Sequence, residues 1–455
     1  MSFLAPALSF RELALYSGCA LVGGEKMQIW TSTIGQRLDG AENTRTMLLC
    51  DQLLRQGHEV TLWTSAYDHI RKQWREEWLA HGEAGYRMSN GLVVRFMKGC
   101  GYKSNVSVAR LIDHILAARD LLRQAASLPA PDALVASLPD HITADAMVRY
   151  GRSVGATTFV DVRDKWPDIF IDHAPNLMLK LVVRTGLVFE TARARRALRD
   201  ADGLVAMMNS MMVWGLRKAG RNARETDRVF YLTTTPRNFG IDRPVVDLPA
   251  GVRAALAAVK GRTVFAFVGT FNRTQHPGLL LDAIDLLAAR GQLDPGRVAF
   301  LIGGSGVGAE EITRRAGSYD CVHDLGWLDT GTMLEVLASS DVGLLLMNFA
   351  SPAFNNKAFA YLASGIPIIN GATGDLAELV EERGVGINVP GGNVEALADA
   401  IVRLASDATL LADGQAKVRV LFDELFDRDS NYAAYIAHIE AVTAAKTRAL
   451  TAASR

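Results

Sequence analysis

The sequence predicts an α/β protein of two domains, on three observations. Short apolar runs of strand length alternate with helical patterns along the chain, the alternation breaks once near the middle, and it then restarts. A chain of 455 residues is also long for a single core, so two domains of about 200 residues each are expected.

Taken in order, the first half offers strands at Met27–Ser32, Glu59–Thr64, Leu92–Phe96, Ala133–Ala136, Thr158–Val162 and Gly203–Met207. Between the first two, Asn43–Gln56 carries Met47, Leu48, Leu53 and Leu54 at the spacing of one buried helix face. The stretch Thr233–Pro249, with three prolines and a glycine, breaks both periodicities and marks the domain boundary. Strands then resume at Thr263–Val268, Val298–Ile302, Val342–Leu346 and Ile366–Asn370, giving a second Rossmann-like domain. A last helix over Ser430–Arg448 repeats Tyr432, Tyr435, Ile436, Ile439 and Val442 on one side. The expected domains are 27–240 and 241–429, with an extension over 1–26 and a final helix over 430–455.

Forty-nine basic residues balance forty-nine acidic ones, so no global field draws nucleic acid to the chain and an anionic partner must meet a local patch. Cys19, Cys50, Cys100 and Cys321 are scattered without disulfide or CxxC spacing, which fits a reducing cytoplasm. Arg11 and Glu12 interrupt the apolar start, leaving runs too short to span a bilayer. None of the nine histidines forms a metal-ligand pattern, so neither metal nor cofactor is expected. Asp200-Ala-Asp202 is read as a packing joint between a helix and a strand rather than a metal site.

The most informative stretch is Phe354–Asn370, FNNKAFAYLASGIPIIN: an Asn-Lys turn, a short helix, a glycine stop and a buried strand. It resembles the donor-site signature of retaining glycosyltransferases of the GT-B fold, family 4, in the bacterial cell-surface polysaccharide branch. Lys357, Phe359, Tyr361, Leu362, Ala363, Gly365, Pro367, Ile368 and Ile369 fit the pattern. Ala360 departs from it, standing where the family has the glutamate that holds the donor ribose; a second family glutamate falls on Pro352. The resemblance extends over Met27–Ala445 and implies two Rossmann-like domains facing a cleft, with the C-terminal helix crossing back to the first.

Further motifs extend the resemblance. Gly40 and Arg45, in the loop after the first strand, match the family's glycine-rich loop and following arginine, at a helix start where anions are favoured. Asp161, Arg163, Asp164 and Trp166 resemble its "hydrophobic-RD-x-WP" segment, at a strand end where carboxylates and an arginine can orient an acceptor. Gly269, Arg273 and Gln275 resemble the loop that approaches the donor pyrophosphate, with His276 and Pro277 replacing smaller residues. Gly303 and Gly304 open a GGSGVG run that misses dinucleotide spacing but resembles the family's "hydrophobic-G-x-G". His323–Trp327 falls where the family pairs backbone with the base, which places His323 at the donor.

The resemblance thus implies Arg273 and Lys357 at the departing diphosphate, Ala360 and Tyr361 around the ribose, and Gly40, Gly269, Gln275, Gly304 and His323 lining the donor. Asp161, Arg163 and Asp164 are implied on the acceptor side with Arg45 and Trp166. The implied chemistry is front-face transfer, in which the leaving diphosphate takes the acceptor proton. The resemblance further implies a glycan or polyprenyl-linked acceptor, and a setting in the cytoplasm or at the inner face of the cell membrane. The segment 177–199, apolar first and arginine-rich after, reads either as a surface helix resting on anionic lipid or as a core or interdomain helix with a solvated arginine end. Two rival readings remain: a non-catalytic relative that binds a glycan or protein, which Ala360 favours, and a sugar-nucleotide epimerase of the same fold.

Overall fold

A computed structural model describes residues 26–35, 38, 44–104, 107–172, 174, 176–233, 247–352, 354 and 356–453. The chain divides into two compact units: residues up to Tyr231 together with Asp429–Arg455, and Leu232–Arg428. The expected extension over 1–26 and most of the Thr233–Pro249 break lie outside the described residues.

In the first unit the strands are β1 (Gln28–Ser32), β2 (Glu59–Ser65), the small hairpin β3 (Tyr67–Asp68) and β4 (Gln73–Trp74), β5 (Tyr86–Arg87), β6 (Val93–Met97), β7 (Ala133–Ser137), β8 (Thr157–Val162), β9 (Gly203–Ala206) and β10 (Arg228–Val229). Eight of them form one sheet in the order β10-β9-β8-β7-β1-β2-β6-β5, parallel except where β5 pairs antiparallel with β6. Parallel strands covered on both faces must be apolar throughout, and β7, β8 and β9 are buried at every position. The order reverses between β1 and β7, the switch point at whose C-terminal side such sheets hold ligands. The helix after β1 runs Arg45–Arg55, because the Thr44 hydroxyl accepts from the Met47 N–H and so caps it.

The second unit carries β11 (Thr263–Val268), β12 (Val298–Gly303), β13 (Val322–Gly326), β14 (Val342–Leu345), β15 (Ile368–Asn370) and β16 (Gly386–Asn388). All six are parallel in the order β13-β12-β11-β14-β15-β16, the doubly wound 3-2-1-4-5-6 arrangement, with the switch between β11 and β14. β15 starts two residues later than the apolar run suggests: Pro367 lacks an N–H and enters the ladder only through its carbonyl, which accepts from Gly343.

The final helix, Arg428–Ala453, buries Tyr432, Tyr435, Ile436 and Ile439 in the same apolar cluster as Ile29, Leu62 and Val94. Their i, i+3, i+4, i+7 spacing gives one buried stripe. Tyr435 stacks on Phe230 with ring centroids 4.6 Å apart, and Lys446 donates to the Ala156 carbonyl and to Asp202. The Asp-x-Asp pair is structural: Asp202 also accepts from the Thr158 N–H and hydroxyl at the start of β8, and Asp200 pairs with Arg199. Among the described residues no cluster of His, Cys, Asp or Glu could hold a metal ion.

The segment 177–199 forms two successive helices, Leu177–Gly186 and Val188–Asp200. The first buries none of its residues, so a core placement does not hold for it. Leu177 is 84% exposed, Met178 79% and Phe189 76%, with Leu181, Val182 and Val188 more than half exposed. The arginine end is not a free cationic patch either: Arg193 pairs with Glu190, Arg196 with Asp145 through two nitrogens, and Arg199 with Asp200. No helix among the described residues is long and apolar enough to cross a membrane.

Candidate functional site

The second unit builds its site where β11 and β14 part. Their pairing is recorded at Phe265–Val342 and Ala266–Gly343, and beyond it the Tyr361 hydroxyl stands between the strands, accepting from the Val268 N–H and donating to the Leu344 carbonyl, both at 3.1 Å. A β-carbon on Gly343 would meet the Tyr361 ring at 2.3 Å, so glycine is needed beneath it. The ring is fully buried and burial pushes its phenol up. Tyr361 therefore pins the switch point open and does not face a ribose, because its hydroxyl is spent on backbone.

Immediately past β11, Gly269 lies at φ 126°, and a β-carbon there would strike the Lys357 Cε at 2.2 Å. A β-carbon on Gly304 would come within 2.0 Å of the Gly269 carbonyl. The loops after β11 and β12 are zipped together, Phe271 donating to the Ser305 carbonyl and accepting from Val307. Gly269 and Gly304 commit their own N–H groups to Gly303 and Gly326, so they supply room rather than donors. Into that room the helix Asn356–Ala363 projects Lys357. Its Nζ is buried without a hydrogen-bond partner, 4.3 Å from the centre of the Phe267 ring, and burial pulls its pKa down to about 8. A desolvated amine against glycine backbone at the ligand end of a doubly wound sheet is suited to receive an anion that restores its charge.

The remaining donor-side candidates have other surroundings. Arg273 is exposed; its carbonyl accepts from Asn348, tying the loop after β11 to the segment after β14. Gln275 is turned inward, its amide donating to the Met347 sulfur, and so does not point to a ligand. His323 is the second residue of β13, remote from that strand's C-terminal end; burial, aided by Arg262, lowers its pKa, and its Nε2 is buried without a partner. The residue at the ligand end of the strand is Trp327, 76% exposed, which a lone tryptophan after Gly326 signalled only by position. Ala360 is half-buried, and its carbonyl accepts from the Ser364 hydroxyl.

In the first unit Arg45, Asp161 and Arg163 come together, but inward. Asp161 is fully buried and accepts from Arg45 Nε at 3.0 Å and Arg163 Nε at 2.7 Å. Arg45 reaches on to the carbonyls of Phe230 and Tyr231, and Arg163 to the Thr46 hydroxyl. Burial opposes both charges, yet the partners win: Asp161 is held below the usual carboxylate range, and Arg45 is held charged by Asp161. Arg45 and Asp161 are thus a buried clamp joining β8, the helix after β1 and the chain just after β10, although the Arg45 Nη2 is left buried without a hydrogen-bond partner. Asp164 is half-buried and accepts from the Lys165 N–H. Trp166 is half-buried against Phe170, beneath the Arg110 guanidinium at 4.7 Å. Gly40 lies outside the described residues.

Comparison with known proteins bears first on the fold. Structures covering most of the chain share its fold: the Anabaena protein HepE in complex with UDP, at TM-score 0.59 and 14% identity, covers 91% of this chain and 100% of that one. An α,α-trehalose 6-phosphate synthase from Burkholderia multivorans, at TM-score 0.61 and 14% identity, covers 93% and 98%. At such identities the likeness establishes architecture, two Rossmann-like units of the GT-B class. More particularly, residues 262–407, inside the second unit, match the family model described as Glycosyl transferases group 1. Curated relatives include D-inositol 3-phosphate glycosyltransferases from Kribbella flavida, 28% identical over 187 residues, and Corynebacterium urealyticum, 30% identical over 161. These matches cover 38% and 34% of this chain, which spans about two fifths of the length of the curated relatives it matches.

Proposed function

We propose that the protein is a retaining glycosyltransferase that moves a sugar from a nucleotide-diphosphate donor to a glycan or polyprenyl-linked acceptor in cell-surface polysaccharide synthesis. The second unit holds the donor and the first the acceptor. The observation that carries this reading is the partnerless, desolvated Lys357 amine above Gly269, beside the glycine loop at the switch point. A bound diphosphate would supply the missing counter-charge, and as the sugar leaves, the growing negative charge on that diphosphate strengthens the same contact. Solved structures of this architecture hold UDP, and the relatives named above are glycosyltransferases, which supports the same class of donor here. Arg163, partly exposed, and Arg273 are the further cations at the ligand ends of the two sheets.

The exposed apolar stripe Leu177, Met178, Leu181, Val182, Val188 and Phe189, flanked by Lys180 and Arg184, fits the inner face of a cell membrane, where a polyprenyl-linked acceptor resides. Cytoplasmic placement goes with a nucleotide-activated donor. The test is calorimetric titration of the full chain with UDP and GDP, alone and with Lys357→Met. Binding by the unchanged chain and at least a tenfold loss in the variant are expected; equal binding by both would refute the donor assignment. Ala360 gives a second reading, a binding module that has lost turnover, and release of nucleotide diphosphate in the presence of acceptor excludes it.

A further inference from the structure

The second unit carries a cavity of about 430 Å³ at the end of its sheet opposite the donor site. Arg262 and Val264 line it where β11 begins, Asp341 where β14 begins, and Arg253 and Lys260 along and just past the helix Ala250–Ala258. Lys357 meets Gly269 at the other end of β11. At about 3.3 Å per residue that is roughly 16 Å of strand from Val264, so the two places are separate. The volume falls in the range of roughly 300–1,000 Å³ usual for small-molecule sites.

The charges around this cavity do not balance. Arg253 is paired with Asp247 at 2.9 Å and donates to the Leu248 carbonyl. Lys260, exposed, and Arg262, half-buried, have neither an ion pair nor a side-chain hydrogen bond among the described residues. The one carboxylate in the lining, Asp341, accepts from the Val264 N–H at 2.8 Å and from the Gln415 side chain, and burial pushes its pKa up, which weakens it as a counter-ion. The unmatched guanidinium is felt on β13, where burial and then Arg262 lower the pKa of His323. An anion at the cavity would relieve that field. The floor beneath the cations is apolar, with Val259 and Val264 buried and Leu248 and Leu256 half-buried at its sides. A helix C-terminus by itself favours nearby cations, but it asks for no apolar hollow between them.

We propose that this cavity binds an organic phosphate monoester, its phosphate paired with Lys260 and Arg262 and its apolar or ring body resting on Leu256, Val259 and Val264. Two unmatched cations suit the double charge of such a group, and the planar guanidinium fork of Arg262 can donate to two of its oxygens at once. The site is independent of the transferase reading, because it shares no residue with the donor site around Lys357.

The test is calorimetric titration of the full chain with phenyl phosphate, inorganic phosphate and benzoate, beside Lys260→Gln/Arg262→Gln, Leu256→Gln and Lys357→Met. The unchanged chain is expected to bind phenyl phosphate more tightly than either of the other two. The double variant should lose phenyl phosphate at least tenfold, Leu256→Gln should lose the preference for it over inorganic phosphate, and Lys357→Met should keep its affinity within twofold. Thermal melts show whether each variant is folded, and Arg262→Lys, which keeps the charge, should retain binding. No binding of phenyl phosphate by the unchanged chain, or equal binding by the folded double variant, overturns the proposal. So does tighter binding of benzoate, or a loss confined to Lys357→Met, which would put the phosphate at the donor site.

Discussion

At the scale of single residues, Lys357 makes the sharpest statement. Its ammonium is favoured by an anion and disfavoured by burial, so in the free protein it gives up its proton near pH 8. Donor binding by the charged form should be strongest below that value and weaken about tenfold for each pH unit above it. Calorimetry with UDP from pH 7 to 9.5 checks this, and a flat profile would count against the lysine. Stability should move the other way. The unfolded lysine keeps its proton to about 10.5, so the unfolded state binds more protons between 8 and 10.5, and the folded state gains as pH rises through that window. Ala360 gives a second expectation: Ala360→Glu should tighten donor binding about ten- to a hundredfold, the worth of a charged hydrogen-bond acceptor at roughly 1.5–3 kcal/mol. Unchanged affinity across a panel of nucleotide sugars would remove that position from the ribose.

The same scale shows what the sequence could and could not convey. Lys357 stands out in the sequence because an Asn-Lys pair opening an aromatic helix has no packing explanation, although the structure places both residues within the helix and not in a turn before it. Tyr361 and Asp161 were equally prominent in their motifs, yet one closes a gap between strands and the other closes an ion pair. A motif carries a residue's type and spacing, and these two are distinguished from ligand contacts only by where their polar atoms end.

Among elements, the strands were legible wherever burial on both faces made an unbroken apolar run, as in β11 and β12. The edge strand β16, three residues with one large apolar side chain, was not, since an edge needs less burial and leaves little pattern. The clamp joining three elements in the first unit should be costly to break. Asp161→Asn keeps an acceptor oxygen but leaves the buried Arg45 guanidinium without its counter-charge, at a loss of about 3–5 kcal/mol. A denaturant midpoint equal to that of the unchanged chain would show that solvent reaches the pair. The bare helix Leu177–Gly186 is the element whose sequence admitted two readings. Its exposure predicts that Leu181→Glu/Val182→Glu abolishes flotation with anionic vesicles while leaving the melting temperature within a degree or two. Flotation unaffected by the two glutamates would end the membrane assignment.

For the molecule as a whole, the restart of the alternation after the central break anticipated two α/β bodies, and the described structure holds two doubly wound sheets. How Arg428–Ala453 is shared was less evident, because an amphipathic stripe shows that a helix is buried without saying against what. Its tyrosines and isoleucines complete the core of the first unit. Deleting 429–455 should therefore abolish the first unit's calorimetric transition and preserve the second's; survival of both would mean that the helix is dispensable.

That arrangement orders events on the ribosome. The earliest-made body cannot cover Ile29, Leu62 and Val94 until the opposite end of the chain has emerged, whereas the later body is contiguous and needs no distant segment. Throughout that interval the nascent N-terminal half presents a bare apolar strip, so its need for chaperone protection is set by the time taken to translate the other half.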